Sequence, residues 1–257
     1  MRLTCTDVRI EFPSVEGPIV AVDGVSFATS GGEFVSIVGP SGCGKTSLLR
    51  AIAGLLPASR GRIDRIPRSG DAAGRVLAVF QENSLFPWMT VLENAAFGLE
   101  MQGVARRARE GRARDLLARF GFAGRELAYP HQLSLGMKQR VAVVRCFVAD
   151  PSLMLMDEPF AALDALTRLT LQEELLDLWD RQRTSVLFVT HDLDEAIRLS
   201  DRILVMSRSP SRIVAEHRVP LPRPRPLAVV THPDVVALKA SMHEELGLAA
   251  GVPAHAV

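Results

Sequence analysis

Residues 39–46 read Gly39-Pro40-Ser41-Gly42-Cys43-Gly44-Lys45-Thr46, the spacing G-x-x-x-x-G-K-[ST] with which a chain wraps backbone N–H groups around a polyphosphate. Glycine suits positions 39 and 44 because such a loop takes backbone angles closed to residues with a Cβ and lets the main chain approach the phosphates. Lys45 supplies a point charge for the β and γ phosphates, and the Thr46 hydroxyl can ligate Mg²⁺. The octet predicts a nucleoside triphosphate site. Elsewhere the adjacent acids Asp157 and Glu158 could hold Mg²⁺ through its water shell and polarise an attacking water, respectively. His191 could hydrogen-bond a γ-phosphate oxygen, and Gln81 could orient water or ligate the metal.

Each group stands at the end of an apolar run. Phe34–Val38 is a short buried strand by pattern, and Thr46–Ala53 carries Leu48, Leu49 and Ile52 on one helical face. A strand, a glycine loop and a helix N-terminus in that order make an anion site. The runs 153–156, 185–190 and 75–80 end at Asp157, His191 and Gln81. Polar groups at the C-terminal ends of buried strands sit at the mouth of an open α/β sheet, where ligands bind. Taken singly, a histidine after a strand is commonly a cap or core residue and a glutamine a surface one. Together with the phosphate loop, the runs place four polar groups at one sheet edge.

Between Gln81 and Asp157 the pattern turns helical. Thr90-Val91-Leu92-Glu93 has capping-box spacing ahead of a helix to about Gln102, and Arg106–Phe120 brings Leu116, Leu117 and Phe120 onto one face. Arg106, Arg107, Arg109, Arg112 and Arg114 make a solvated face of that helix. Ser134 is a good N-cap for the apolar helix through Val141, Val144 and Phe147, and that N-terminus could hold a second anion.

A chain of 257 residues, 47% apolar, can bury one sizeable core, with or without a small subdomain. Its formal charge of +1 argues against a nucleic-acid partner held by phosphate neutralisation. Cys5, Cys43 and Cys146 are odd in number and lack metal-ligand spacing, which predicts free thiols in a reducing compartment. No apolar window reaches membrane-spanning length, and the first dozen residues do not read as a leader. Any membrane role must therefore come through a partner.

The set of motifs resembles the nucleotide-binding subunit of ABC transporters, over about Val8 to Arg225. The resemblance implies an α/β fold: a P-loop NTPase core with a mainly parallel sheet, an N-terminal antiparallel β subdomain and an inserted α-helical subdomain. The ATPase domain would span 1–220 with the helical insertion at about 82–150, and 221–257 would hold the Pro/Arg-rich stretch Leu221–Arg225 and a C-terminal helix. By resemblance Gly39–Thr46 with Ser47 is the Walker A loop, Gln81 the Q-loop, and Leu133–Met137, with Ser134 and Gly136, the signature. Asp157 and Glu158 are Walker B and the catalytic glutamate, Ala162-Leu163-Asp164 the D-loop, and His191 the switch histidine. Phe12 occupies the place of the residue that stacks on adenine. Leu135 and Met137 depart from the usual signature and Ala161 from the usual serine, and Leu135 must then point away from the nucleotide.

Within the family, the stretches 81–88, 171–175 and 221–225 look like importers of the nitrate, sulfonate and taurine group. That implies ATP and Mg²⁺ as cofactors and a homodimer on integral membrane permease subunits. It also implies indirect service to a periplasmic substrate-binding protein and a peripheral place on the cytoplasmic face of the inner membrane. The alternative is a soluble ABC ATPase without a permease, of the iron–sulfur assembly type. The Pro/Arg stretch should be extended and stiff, and 234–246 reads as an amphipathic helix whose apolar set is Val235, Leu238, Met242 and Leu246.

Overall fold

The computed structural model describes residues 1–67, 74–80 and 85–247. The chain forms two compact units, Met1–Gly70 with Ser185–Val257, and Asp71–Thr184. In chain order the first unit opens with β1 (Arg2–Phe12), β2 (Ile19–Ala28), β3 (Phe34–Val38), α1 (Lys45–Ala53) and β4 (Arg60–Ile66). The second unit follows with β5 (Val76–Val79), α2 (Val91–Met101), α3 (Arg106–Arg119), α4 (Leu135–Val148), β6 (Leu153–Asp157) and α5 (Ala165–Gln182). The chain then returns to the first unit through β7 (Ser185–Thr190), α6 (Leu193–Leu199), β8 (Arg202–Met206), β9 (Ile213–Arg218) and α7 (Pro233–Glu245).

The first unit holds an antiparallel sheet in the order β2-β1-β4. Along β1 the buried residues are Leu3, Cys5, Val8 and Ile10, so the alternation slips by one between Cys5 and Val8. A bulge absorbs the slip: Asp7 takes a positive φ of 49° and the register shifts there. Without it every residue beyond would face the wrong side. Glycine is required opposite, because a Cβ on Gly61 would lie 2.2 Å from the Asp7 carbonyl oxygen.

In the same unit β3 pairs in parallel with β7 on one side and β8 on the other, and β9 adds antiparallel to β8. Every residue of β3, β7 and β8 is buried, which explains their continuous apolar runs. α1 packs on β7, and α6 packs on β3. α7 lies along β9 and sends Val235, Met242 and Leu246 into a cluster with Val38, Leu193, Ile197 and Val205; Leu238 packs against it. These are the four residues that the sequence pattern picks out.

In the second unit β5 and β6 pair in parallel, Val79 beside Met156. α2, α3 and α4 pack on one another, burying Leu99, Leu116, Leu117, Phe120 and Phe147. The capping box forms as predicted: Thr90 N–H donates to Glu93 Oε2 at 2.7 Å and Thr90 Oγ1 accepts from Glu93 N–H at 3.2 Å. Arg106, Arg107, Arg112 and Arg114 of α3 face solvent, with Arg106 paired to Glu110 at 2.6 Å, whereas Arg109 is half-buried and pairs with Glu100 at 2.9 Å. Exposed pairs of this kind contribute about 0–1 kcal/mol each, so the apolar faces hold the bundle. Together these parts make a P-loop NTPase fold, with its mainly parallel strands, N-terminal antiparallel sheet and inserted helices.

Candidate functional site

The phosphate loop connects Val38, the last residue of β3, to Lys45, the first of α1. Gly42 and Gly44 take φ of 74° and 99°, the left-handed region that glycine enters without a steric penalty. Space restricts the loop as well. A Cβ on Gly39 would meet Cys43 Sγ at 2.9 Å and the Met206 carbonyl oxygen at 3.0 Å, and one on Gly44 would meet Val22 Cγ2 at 3.0 Å. The helix starts at Lys45, one residue earlier than its apolar pattern indicates, because Gly44 itself serves as the cap. Gly44 has no side chain with which to cap the first turn of α1, a place where an anion can bind.

Lys45 is buried, and its Nζ donates to the carbonyl oxygens of Gly39 at 2.8 Å and Pro40 at 2.9 Å. The ammonium is thereby held across the loop it serves. The Cys43 thiol does not face outward. It is 2% exposed, with Sγ against Gly39 and 4.0 Å from Lys45 Nζ, and its backbone N–H donates to the Pro40 carbonyl oxygen at 3.3 Å. Thr46 and Ser47 are half-buried on the first turn of α1.

The β3–β7 register aligns Val38 with Thr190, so Gly39 and His191 leave the sheet side by side. His191 is exposed and sits between the strand and Asp192, which caps α6 by accepting from Asp194 N–H at 2.9 Å and Glu195 N–H at 3.1 Å. Thr190 Oγ1 accepts from Asp192 N–H at 3.0 Å and donates to Glu195 Oε2 at 2.5 Å, which fixes the turn carrying the histidine. Phe12 ends β1, paired with Ile19 and 37% exposed. Its strand partner β2 continues to Ala21 and Val22, the residues that touch Gly44. Phe12, the loop and His191 therefore belong to one unit.

The second unit carries the other candidates. Asp157 ends β6 as a buried residue, and Glu158 follows with a positive φ of 45°. A non-glycine residue in that region costs about 1–3 kcal/mol and is found where geometry is tightly imposed. Glu158 is half-buried, as a group that must meet solvent or substrate requires. Parallel pairing of Val79 with Met156 puts Phe80 and Asp157 at the same end of their strands. Gln81 itself lies outside the described residues.

Ser134 caps α4, its Oγ accepting from Met137 N–H at 3.3 Å. A Cβ on Gly136 would lie 2.8 Å from Thr167 Cγ2 and 3.7 Å from Leu163 Cδ2. Here the first turn of α4 meets Leu163 and the first turn of α5, a contact that spacing alone does not reveal. Asp164 caps α5 by accepting from Thr167 N–H at 3.0 Å, and that donor holds its carboxyl below the ordinary carboxylate range. Leu135 is 44% exposed.

Among the described residues no three His, Cys, Asp or Glu side chains cluster as a metal set. Thr46 and Asp157 are hard oxygen donors, the kind Mg²⁺ accepts in ones and twos alongside substrate phosphates and water. Each by itself fits that ion and would not fit a soft one.

A profile of the ABC transporter family matches residues 22–161. An uncharacterised ABC transporter ATP-binding protein of Methanocaldococcus jannaschii, MJ0412, is 47% identical over 209 residues, 80% of this chain and 78% of the relative. The taurine import ATP-binding protein TauB of Burkholderia pseudomallei is 44% identical over 224 residues, 86% of each chain. Among solved structures, the dimeric post-hydrolysis state of the ATP-binding cassette MJ0796 bound to ADP and Pi gives a TM-score of 0.74 at 29% identity, covering 84% of this chain and 98% of that one. The chain belongs to the ABC transporter family. It binds ATP and is an ATPase of the ABC type.

Proposed function

We propose that the chain is the energy-coupling subunit of an ABC importer for taurine or a related small solute such as a sulfonate or nitrate. The observation that carries this reading is the 44% identity to a taurine import ATP-binding protein over 86% of both chains. In this reading two copies close on two ATP molecules, each between one copy's phosphate loop and the other's Ser134–Gly136 segment. Closure is passed to integral membrane permease subunits, which a periplasmic binding protein supplies. No described helix is long and apolar enough to cross a membrane; in this reading the subunit joins the membrane peripherally, at its cytoplasmic face, through the permease.

The residues divide the work as follows. The loop N–H groups of 39–44 and Lys45 bind the phosphates, and Phe12 stacks on the adenine. Thr46 and Asp157, with Gln81, would hold Mg²⁺, which neutralises phosphate charge when bound. Glu158 accepts a proton from the attacking water. His191, placed beside Gly39 by the β3–β7 register, donates to the γ phosphate. The 1–220 ATPase domain, with its helical insertion, is the hydrolytic machine in this account.

The permease-facing surface lies on the second unit. An apolar cavity of about 480 Å³ is lined by Leu77, Phe86, Phe97 and Met101, with Arg75 and Arg145 at its edge. The Trp88 ring stands 5.6 Å from that of Phe86 and is 70% exposed, which suits a wall receiving a cytoplasmic helix. Reconstitution with the permease and binding protein of the same gene cluster tests the function. Taurine- or sulfonate-stimulated ATP hydrolysis supports it, and hydrolysis indifferent to permease, binding protein and solute points to a soluble ABC ATPase instead.

A further inference from the structure

The segment beyond residue 220 grips α6, the helix that begins two residues after His191, at both ends and along its apolar face. At the N-terminal end, Lys239 Nζ on α7 donates to both carboxylate oxygens of Asp194, each at 2.7 Å. At the C-terminal end, Arg225 donates to the carbonyl oxygens of Ile197 at 2.8 Å and Ser200 at 2.5 Å, and Arg223 to that of Leu199. These are the helix-end carbonyls that lack intrahelical partners, and guanidinium groups suit them. Arg225 is only 5% exposed, so burial pushes its guanidinium down to about 10 even as three main-chain carbonyls receive its donors. Between the ends, Val235 and Met242 of α7 share a buried cluster with Leu193, Ala196 and Ile197 of α6 and with Val38, the residue before the phosphate loop.

Such a grip far exceeds what is needed to park a tail. α6 starts in the turn that carries His191, and that turn is tied to the helix through Thr190, Asp192 and Glu195. A shift of α6 must move the histidine. We infer that the C-terminal segment, through Lys239, is a positioning element for His191 and sets the rate of hydrolysis without touching ATP. This rests on the role given to His191 above. Lys239 is one of only three lysines in the chain, and it is the one on α7 that reaches Asp194.

The test is steady-state ATP hydrolysis by the purified full chain, with kcat and KM separated and melting temperature measured alongside. Lys239→Ala should lower kcat about two- to five-fold, the range that loss of a partly exposed ion pair spans. KM should stay within about two-fold and the melting temperature within a few degrees, since loss of a partly exposed pair leaves the buried cluster intact. Lys239→Arg should restore the rate, and adding Asp194→Ala to Lys239→Ala should cost nothing more. In a His191→Ala background, Lys239→Ala should have no further effect, because a positioning residue has nothing left to position. An unchanged kcat in Lys239→Ala, or a multiplicative loss on top of His191→Ala, overturns the inference while leaving the role of His191 standing. A wild-type rate in His191→Ala alone would instead remove the reading on which the inference rests.

Discussion

Gly136 offers a quantitative check on how the second unit holds its signature segment. Replacing it with alanine puts a methyl 2.8 Å from Thr167 Cγ2, closer than carbon atoms approach in packed interiors. Thr167 lies on the first turn of α5 and is β-branched, so its methyl cannot swing aside without leaving its rotamer. Overpacking of this kind costs about 1–3 kcal/mol. Alanine's better helix propensity offsets part of that, at most about 1 kcal/mol relative to glycine. The net effect is a destabilisation of about 0–3 kcal/mol, or up to several degrees in melting temperature for a unit of this size. Thr167→Ser removes Cγ2 and keeps the hydroxyl, so Gly136→Ala/Thr167→Ser should recover most of the loss. The assay is a double-mutant cycle read by thermal melts and by ATP hydrolysis. If the Gly136→Ala deficit is the same with threonine and with serine at 167, the contact does not carry the effect and the packing described here is wrong.

Other outcomes follow from single features. Thr90→Ala should cost about 1 kcal/mol of stability through the lost cap of α2, measured by urea unfolding. The Thr90 N–H and hydroxyl hold the Glu93 carboxyl below its ordinary range. A lowered folded value contributes stability above the unfolded pKa that is lost as pH falls through the folded one. Wild type should therefore lose its advantage over Glu93→Gln on acidification below about pH 4, and a gap independent of pH refutes this. Cys5 and Cys146, which burial pushes up to about 12 and about 11, should resist alkylation until unfolding. Cys43, whose thiol is 2% exposed behind Gly39, should likewise label only on unfolding; rapid labelling of the folded chain argues against the loop geometry. Trp88→Ala should keep the wild-type melting temperature and weaken co-purification with the permease, whereas a large loss of melting temperature with intact permease binding makes Trp88 a packing residue.

The strand ends were readable because strands buried on both faces leave continuous apolar runs that stop where chemistry starts. β7 spans Ser185–Thr190 as its run indicates, and β6 extends one residue to include Asp157. The capping box at Thr90 and Glu93 was readable because its two bonds are local. What pattern could not supply were contacts between residues far apart in the chain. The approach of Thr167 to Gly136 and the reach of Arg223, Arg225 and Lys239 to α6 depend on packing, which no periodicity encodes. The stretch Leu221–Arg225 reads as a stiff, extended end, yet it carries two arginines whose donors fill the carbonyls at the end of α6. Only the donor-rich side chains hint at that second use.

The central claim is that Glu158 accepts the proton in ATP hydrolysis, and Glu158→Gln tests it most directly. The change keeps shape and backbone while removing the base, a loss of about 3 kcal/mol of transition-state stabilisation, or roughly 100-fold in rate. The measurement is single-turnover hydrolysis of Mg-ATP by the purified variant, with its assembly state followed by light scattering. The account predicts normal ATP binding, hydrolysis slowed by about 100-fold or more, and accumulation of an ATP-loaded dimer. Hydrolysis at the wild-type rate, with no trapped dimer, would contradict it.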